Sequence, residues 1–180
     1  MSRAKAWNQR VHPNTTKADF HTPEFMIRYI KEQFPGKDLL DCAWSDELNN
    51  ATGPTFDIFN QEYVAPPEHF FFINPPWDSE TAIRFYHEAL GRYSSRDEGT
   101  PFCMLLPNKL NQTSWVKFIL PHVAHHGHIC FLGGRLNFSG PWSTPGGSSR
   151  YGSILLMHGS KKQGQVSYEM IRELKKRYAE

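Results

Sequence analysis

The sequence predicts a three-layer α/β domain built on a mostly parallel sheet. Short, solid apolar runs, most clearly residues 69–73 and 101–106, read as strands covered on both faces. They alternate with longer stretches whose apolar residues recur at helical spacing, the pattern of a sheet sandwiched between helices. Two polar residues, Asp41 and Asn74, fall directly after such strands. In α/β sheets ligands gather at the loops beyond the strand ends, so these two positions are where chemistry is expected.

Each element has its own signal. Residues 1–19 read as an arm, carrying Arg3, Lys5, Arg10 and Lys17. A helix is expected from about Pro23, with Thr22 as its cap, because proline suits the first helical position. Phe25, Met26, Tyr29, Ile30 and Phe34 recur on one face of it, and Pro35-Gly36 ends it. Leu39-Leu40 is a short strand running into Asp41, and 69–73 is a second strand. Residues 81–93 predict a helix, 101–106 a third strand, and 114–124 a helix interrupted at Pro121. Two further strands, 128–132 and 153–158, flank a glycine- and serine-rich loop. Residues 165–178 predict a charged terminal helix. The main domain is thus expected over 20–160, with 161–180 appended.

Composition narrows the classes of function. At 180 residues the chain suits one domain able to bury about two-thirds of its unfolded surface. No apolar run approaches the ~18 residues that cross a bilayer, and the polar, basic start is unlike a secretion signal, so no membrane partner is expected. Cys42, Cys103 and Cys130 lack metal-type spacing and sit in apolar stretches, the usage of reduced thiols in a cytoplasmic protein. The net charge of +2 neither demands nor excludes nucleic acid. The cations do gather at the ends, with Lys161, Lys162, Arg172, Lys175, Lys176 and Arg177 at the second; a solvated helix face accounts for them as well as a nucleic-acid contact does.

The stretch from Phe70 to Ile73 followed by Asn74-Pro75-Pro76-Trp77 is the most informative in the chain. Asn-Pro-Pro can simply end a strand and begin a turn. Here, however, the two prolines stiffen the backbone and remove two amide donors, leaving nearby carbonyls as acceptors. The Asn74 side-chain oxygen and the Pro75 carbonyl can then both accept from one NH2 group. Trp77 offers a flat face on which a base can stack, worth about 1–3 kcal/mol. Two acceptors and a stacking plate describe a pocket for an exocyclic amine on a planar ring.

This loop resembles the [DNS]PP[YFW] motif of amino-methyltransferases. From about Phe20 to His158 the chain is similar to the small phage-type DNA N6-adenine methyltransferases, the Dam family of phages and prophages. The resemblance rests on His21-Thr22-Pro23, Asp41-Cys42-Ala43 with Asn49, Asn74-Pro75-Pro76-Trp77, Leu105-Leu106-Pro107, Trp115, and the run from Phe131 to Phe138. It implies a compact Rossmann-like fold with an antiparallel C-terminal edge, S-adenosylmethionine as cofactor, double-stranded DNA as partner, and a bacterial cytoplasm as the place of expression. It implies Asn74, Pro75, Pro76 and Trp77 as the catalytic loop, and Thr22-Pro23 as a cofactor-contacting segment. Asp41 is suited to a ribose hydroxyl or the methionine ammonium, and Asp57 to the cofactor's adenine amine. The chain departs from larger methyltransferases in lacking a glycine-rich cofactor loop. Only 15 residues separate Asp41 from Asp57, so one strand–helix unit reads as compressed or lost. There is also no room for a separate target-recognition domain.

Other candidates weigh less. Arg135 after Gly133-Gly134, Arg150 in the loop 141–150, and Lys109 after the third strand are suited to DNA phosphates, although each equally fits a turn or a connector. His122, His125, His126 and His128 form a dense cluster, but no Cys or carboxylate partner stands at ligand spacing, so no metal is expected. Two other readings stay open: transfer to cytosine N4 or to RNA, and a phage DNA-binding or anti-restriction protein without turnover.

Overall fold

A computed structural model of the chain describes residues 21–44, 52–76, 79–95, 99–109, 112–138 and 152–179. Along it run α1 (Glu24–Gln33), β1 (Asp38–Asp41), β2 (His69–Ile73), α2 (Ser79–Ser94), β3 (Phe102–Pro107), α3 (Thr113–Ala124), β4 (His128–Gly133), β5 (Ser153–His158), β6 (Val166–Met170) and α4 (Ile171–Arg177). The six strands make one mixed sheet in the order β1-β2-β3-β5-β4-β6. β1, β2 and β3 are parallel neighbours, β4 pairs in parallel with β6, and β5 runs antiparallel between β3 and β4.

The antiparallel strand is therefore interior, not the C-terminal edge that was expected. Burial explains the order. Every residue of β5 is buried, so it must have strands on both sides and helices on both faces. β6, by contrast, leaves Val166 and Tyr168 exposed and can occupy the sheet margin.

Side-chain alternation along the strands builds two apolar layers. Phe71 and Ile73 of β2, with Phe102, Met104 and Leu106 of β3, meet Ala82, Phe85, Tyr86 and Ala89 of α2 and Phe118 of α3. Phe70 and Phe72, with Cys103 and Leu105, face the other way onto Met26, Ile27 and Ile30 of α1 and Ile171 and Leu174 of α4. The result is an α/β/α sandwich. No helix among the described residues is long and apolar enough to cross a membrane.

Three local expectations need correction. Pro23, not Thr22, is the N-cap of α1, and no side chain caps the helix; the Pro23 carbonyl takes the Met26 and Ile27 amides at 2.9 and 3.2 Å. α3 runs on through Pro121, because a proline removes one amide donor while its own carbonyl still accepts, here from the His125 amide at 3.0 Å. The terminal helix begins later than predicted: 166–170 is the strand β6, and only 171–177 is helical. Residues 161–179 consequently pack as part of the sheet and its helix layer. β6 extends the sheet, Lys161 donates to the Gln33 carbonyl at 2.9 Å, and Tyr178 bonds Glu32 of α1.

Candidate active site

β1, β2, β3 and β4 all end at one edge of the sheet, and β5 begins there. Asn74 follows β2, the strand flanked on both sides by parallel neighbours, and its side chain is half-buried. Its Nδ2 donates to the Thr22 hydroxyl at 3.2 Å, across 52 residues of chain. The Pro75 carbonyl accepts no backbone hydrogen bond from the described residues, as two successive prolines favour. Pro75 is buried and Pro76 half-buried, so the backbone here is both stiff and walled in. Trp77 lies outside the described residues.

Asp41 closes the adjacent strand. It is 4% exposed, and its two oxygens accept from the Ala43 amide at 3.0 Å and the Thr52 amide at 2.8 Å. Burial pushes its carboxyl above the usual range, while the Thr52 and Ala43 amides and the Thr52 hydroxyl pull it back. The backbone of Asp41 also donates to Pro54 and accepts from Phe56 at 2.8 and 2.9 Å, and Asp41 bridges Thr55 in parallel. Residues 52–56 thus lie along the outer margin of β1, where a further strand would sit in a longer sheet. Asp41 already serves backbone donors on both oxygens, so a ligand would compete with the loop for it.

Asp57 is placed differently. It is half-buried, and one carboxylate oxygen accepts from the Phe59 amide two residues on, at 3.1 Å. The segment that carries it is held by a residue that the sequence reading passed over. Arg92 of α2 is 4% exposed and donates to the carbonyls of Ile58, Asn60 and Tyr63 at 3.0, 2.9 and 2.8 Å. Glu88, one turn earlier, balances its charge at 3.6 Å, and the guanidinium covers the Phe56 ring. The signal was present in the helix pattern. Ala82, Phe85, Tyr86, Ala89 and Arg92 fall on one stripe, and an arginine on an apolar stripe must find acceptors.

The cations expected at DNA divide in two. Arg135 is exposed and follows Gly134, whose φ of +102° only glycine adopts without strain. It stands at the end of β4, three strand spacings, or about 14 Å, from the end of β2. Lys109 is half-buried beyond β3, next to Asn108, whose amide meets the Gly152 carbonyl at 2.7 Å. Arg150 and the loop 141–150 lie outside the described residues. At the C-terminus most of the cations have acidic neighbours: Lys161 with Glu32, Lys162 and Arg177 with Glu169, Arg172 and Lys176 with Glu173. Lys175 lies over the Phe25 ring. That face is largely self-compensated.

The histidines cluster at the opposite edge. His122 and His128 are buried, and so is His158, which the sequence reading did not include. His122 Nε2 bonds the His128 carbonyl at 3.0 Å, and His128 is held between the Ser160 and Ser167 hydroxyls at 3.2 and 2.8 Å. The His158 ring packs against His122, Tyr93 and Phe102, with centroids 4.5, 4.9 and 5.0 Å away, and its Nε2 has no hydrogen-bond partner. Burial pushes all three down, His122 and His128 to about 4 and His158 to about 3. Among the described residues no group of three His, Cys, Asp or Glu side chains is placed to hold a metal ion. His125 and His126 are exposed at the turn after α3.

No family model, curated protein or solved structure matches the chain.

Proposed function

We propose that this protein transfers a methyl group from S-adenosylmethionine to the exocyclic N6 amine of adenine in double-stranded DNA. The observation that carries the reading is the pair of acceptors at Asn74 and Pro75, stiffly held where a strand ends between two parallel neighbours. Adenine's amine is a weak nucleophile because its lone pair is delocalised into the ring. Asn74 Oδ1 and the Pro75 carbonyl accept hydrogen bonds from its two N–H groups, favour a pyramidal nitrogen and aim the lone pair; on methylation the nitrogen would release one proton to solvent, leaving the spent cofactor as a neutral thioether. Catalysis on this reading is positioning and electrostatics, with no covalent enzyme intermediate. The base reaches the loop by leaving the duplex, and Trp77 stacks on it. Arg135, about 14 Å along the edge, and Lys109 and Arg150 contact phosphates.

The acceptors at this edge fit the cofactor. S-adenosylmethionine, when bound, supplies an electrophilic methyl group. Asp57, with one oxygen engaged only by its own turn, accepts from the cofactor's amine or hydroxyls, and Pro23 borders the same edge. Asp41 holds the loop on which that binding depends.

The test is incubation with labelled S-adenosylmethionine and unmethylated DNA, followed by nucleoside mass spectrometry. N6-methyladenine is expected, and Asn74→Ala should lower turnover by on the order of a hundredfold while the fold persists. Label in N4-methylcytosine or only in RNA would reassign the substrate. Absence of transfer, or an Ala variant as fast as the parent, would remove the reading.

A further inference from the structure

Thr22 has three conceivable uses, and the structure separates them. As a helix cap it would accept from the first-turn amides of α1, but that helix has no side-chain cap. As a ligand contact it would need open surface, but it is only 8% exposed. Its hydroxyl oxygen instead accepts from Asn74 Nδ2 at 3.2 Å.

We infer that Thr22 is a positioning residue that anchors the Asn74 side chain in one place beside Pro75. The inference deepens the proposed function and rests on it for its kinetic consequence. An asparagine amide has a donor end and an acceptor end related by a half-turn about its last side-chain bond. Only the acceptor end suits an NH2 group, since two donors facing each other repel. Binding Nδ2 to Thr22 leaves Oδ1 on the opposite limb; the hydroxyl could also donate to a flipped amide, so Thr22 fixes where the side chain lies and the substrate's NH2 group selects the acceptor end. The backbone supports this arrangement from both sides. Pro23 takes over the capping of α1 through its carbonyl, which releases the Thr22 side chain. Pro75, directly after Asn74, restricts that residue to extended backbone conformations.

One hydrogen bond of this kind contributes a net stabilisation that corresponds to about a fivefold bias. Thr22→Val, which keeps the shape and removes the hydroxyl, should therefore lower kcat about three- to tenfold. The KM for DNA and the calorimetric Kd for S-adenosylmethionine should stay within twofold. Thr22→Ser, which restores the hydroxyl, should recover most of the rate. A weakened cofactor Kd with unchanged kcat would overturn the inference and make Thr22 a cofactor contact. Failure of serine to rescue would overturn it as well. The side-chain NH2 resonances of Asn74 supply a readout independent of turnover. The two protons differ in any asparagine, so the readout is their change: Thr22→Val should shift the Asn74 pair and speed its exchange with solvent. Identical Asn74 resonances in parent and variant would refute the inference whatever the activity. Retained resonance differences in a protein that transfers no methyl group would refute the proposed function and leave the grip on Asn74 standing.

Discussion

Replacing His158 with Phe should make the fold more resistant to acid, by an amount the structure allows to be worked out. His158 is fully buried among Tyr93, Phe102 and His122, with its Nε2 unpartnered, and titrates at about 3. An unfolded histidine titrates at about 6.5. A base held below its unfolded value contributes stability that is complete above about pH 6.5 and is lost as the pH falls towards about 3. At about pH 4.5 the unfolded chain has taken up the proton and the folded chain has not. Two pH units below 6.5, at about 1.36 kcal/mol per unit, give a loss of about 2.7 kcal/mol from this one residue. The Phe variant has no such loss. Urea unfolding followed by circular dichroism, at about pH 7.5 and about pH 4.5, measures it. The stability gap between variant and parent should widen by about 2.7 kcal/mol on going to the lower pH. His122 and His128 remain in both proteins and largely cancel. The larger Phe ring adds an offset that does not depend on pH. A gap that stays constant within about 0.5 kcal/mol would show that His158 protonates as readily when folded, and would refute the argument.

Two further substitutions separate holding the loops from binding ligand. Asp41→Ala leaves the Ala43 and Thr52 amides without their acceptor and should destabilise the protein by on the order of 3 kcal/mol in urea unfolding. Asp57→Ala should change stability by less than about 1 kcal/mol while weakening S-adenosylmethionine binding by about 1–3 kcal/mol in calorimetry. The reverse pattern would exchange the two roles. Arg92→Met strands three carbonyls and should cost about 3–5 kcal/mol, measured by the same unfolding experiment. A loss under about 1 kcal/mol would mean that the 58–63 segment holds itself.

What could be read in the sequence depended on whether a signal was local. Strands 69–73 and 153–158 were legible because burial on both faces leaves an unbroken apolar run. The segment 166–170 was not, because a margin strand with exposed Val166 and Tyr168 and a half-buried Glu169 has no such run, and it flows without a break into helical Ile171–Arg177. The short interval between Asp41 and Asp57 is visible as a spacing, but the way 52–56 lies beside the end of β1 arises from hydrogen bonds between distant residues. The same holds within the candidate site. Asn74 announced itself beside two prolines, whereas its partner Thr22 lies 52 residues away and resembled an ordinary cap. His158 could not be joined to His122 and His128 until β5 was known to lie between β3 and β4.

The reversed direction of β5 has an evolutionary corollary. Gly133, where β4 ends, and Ser153, where β5 begins, belong to adjacent strands at the edge that carries Asn74, and Leu132 is already in register with Ser153. Whatever joins them is therefore tethered at two points about 5 Å apart. Doubling the length of such a closed segment costs only about 0.6 kcal/mol in entropy. A longer connection between β4 and β5 would therefore cost the sheet little, provided that Leu136 and Phe138 keep their places in the core.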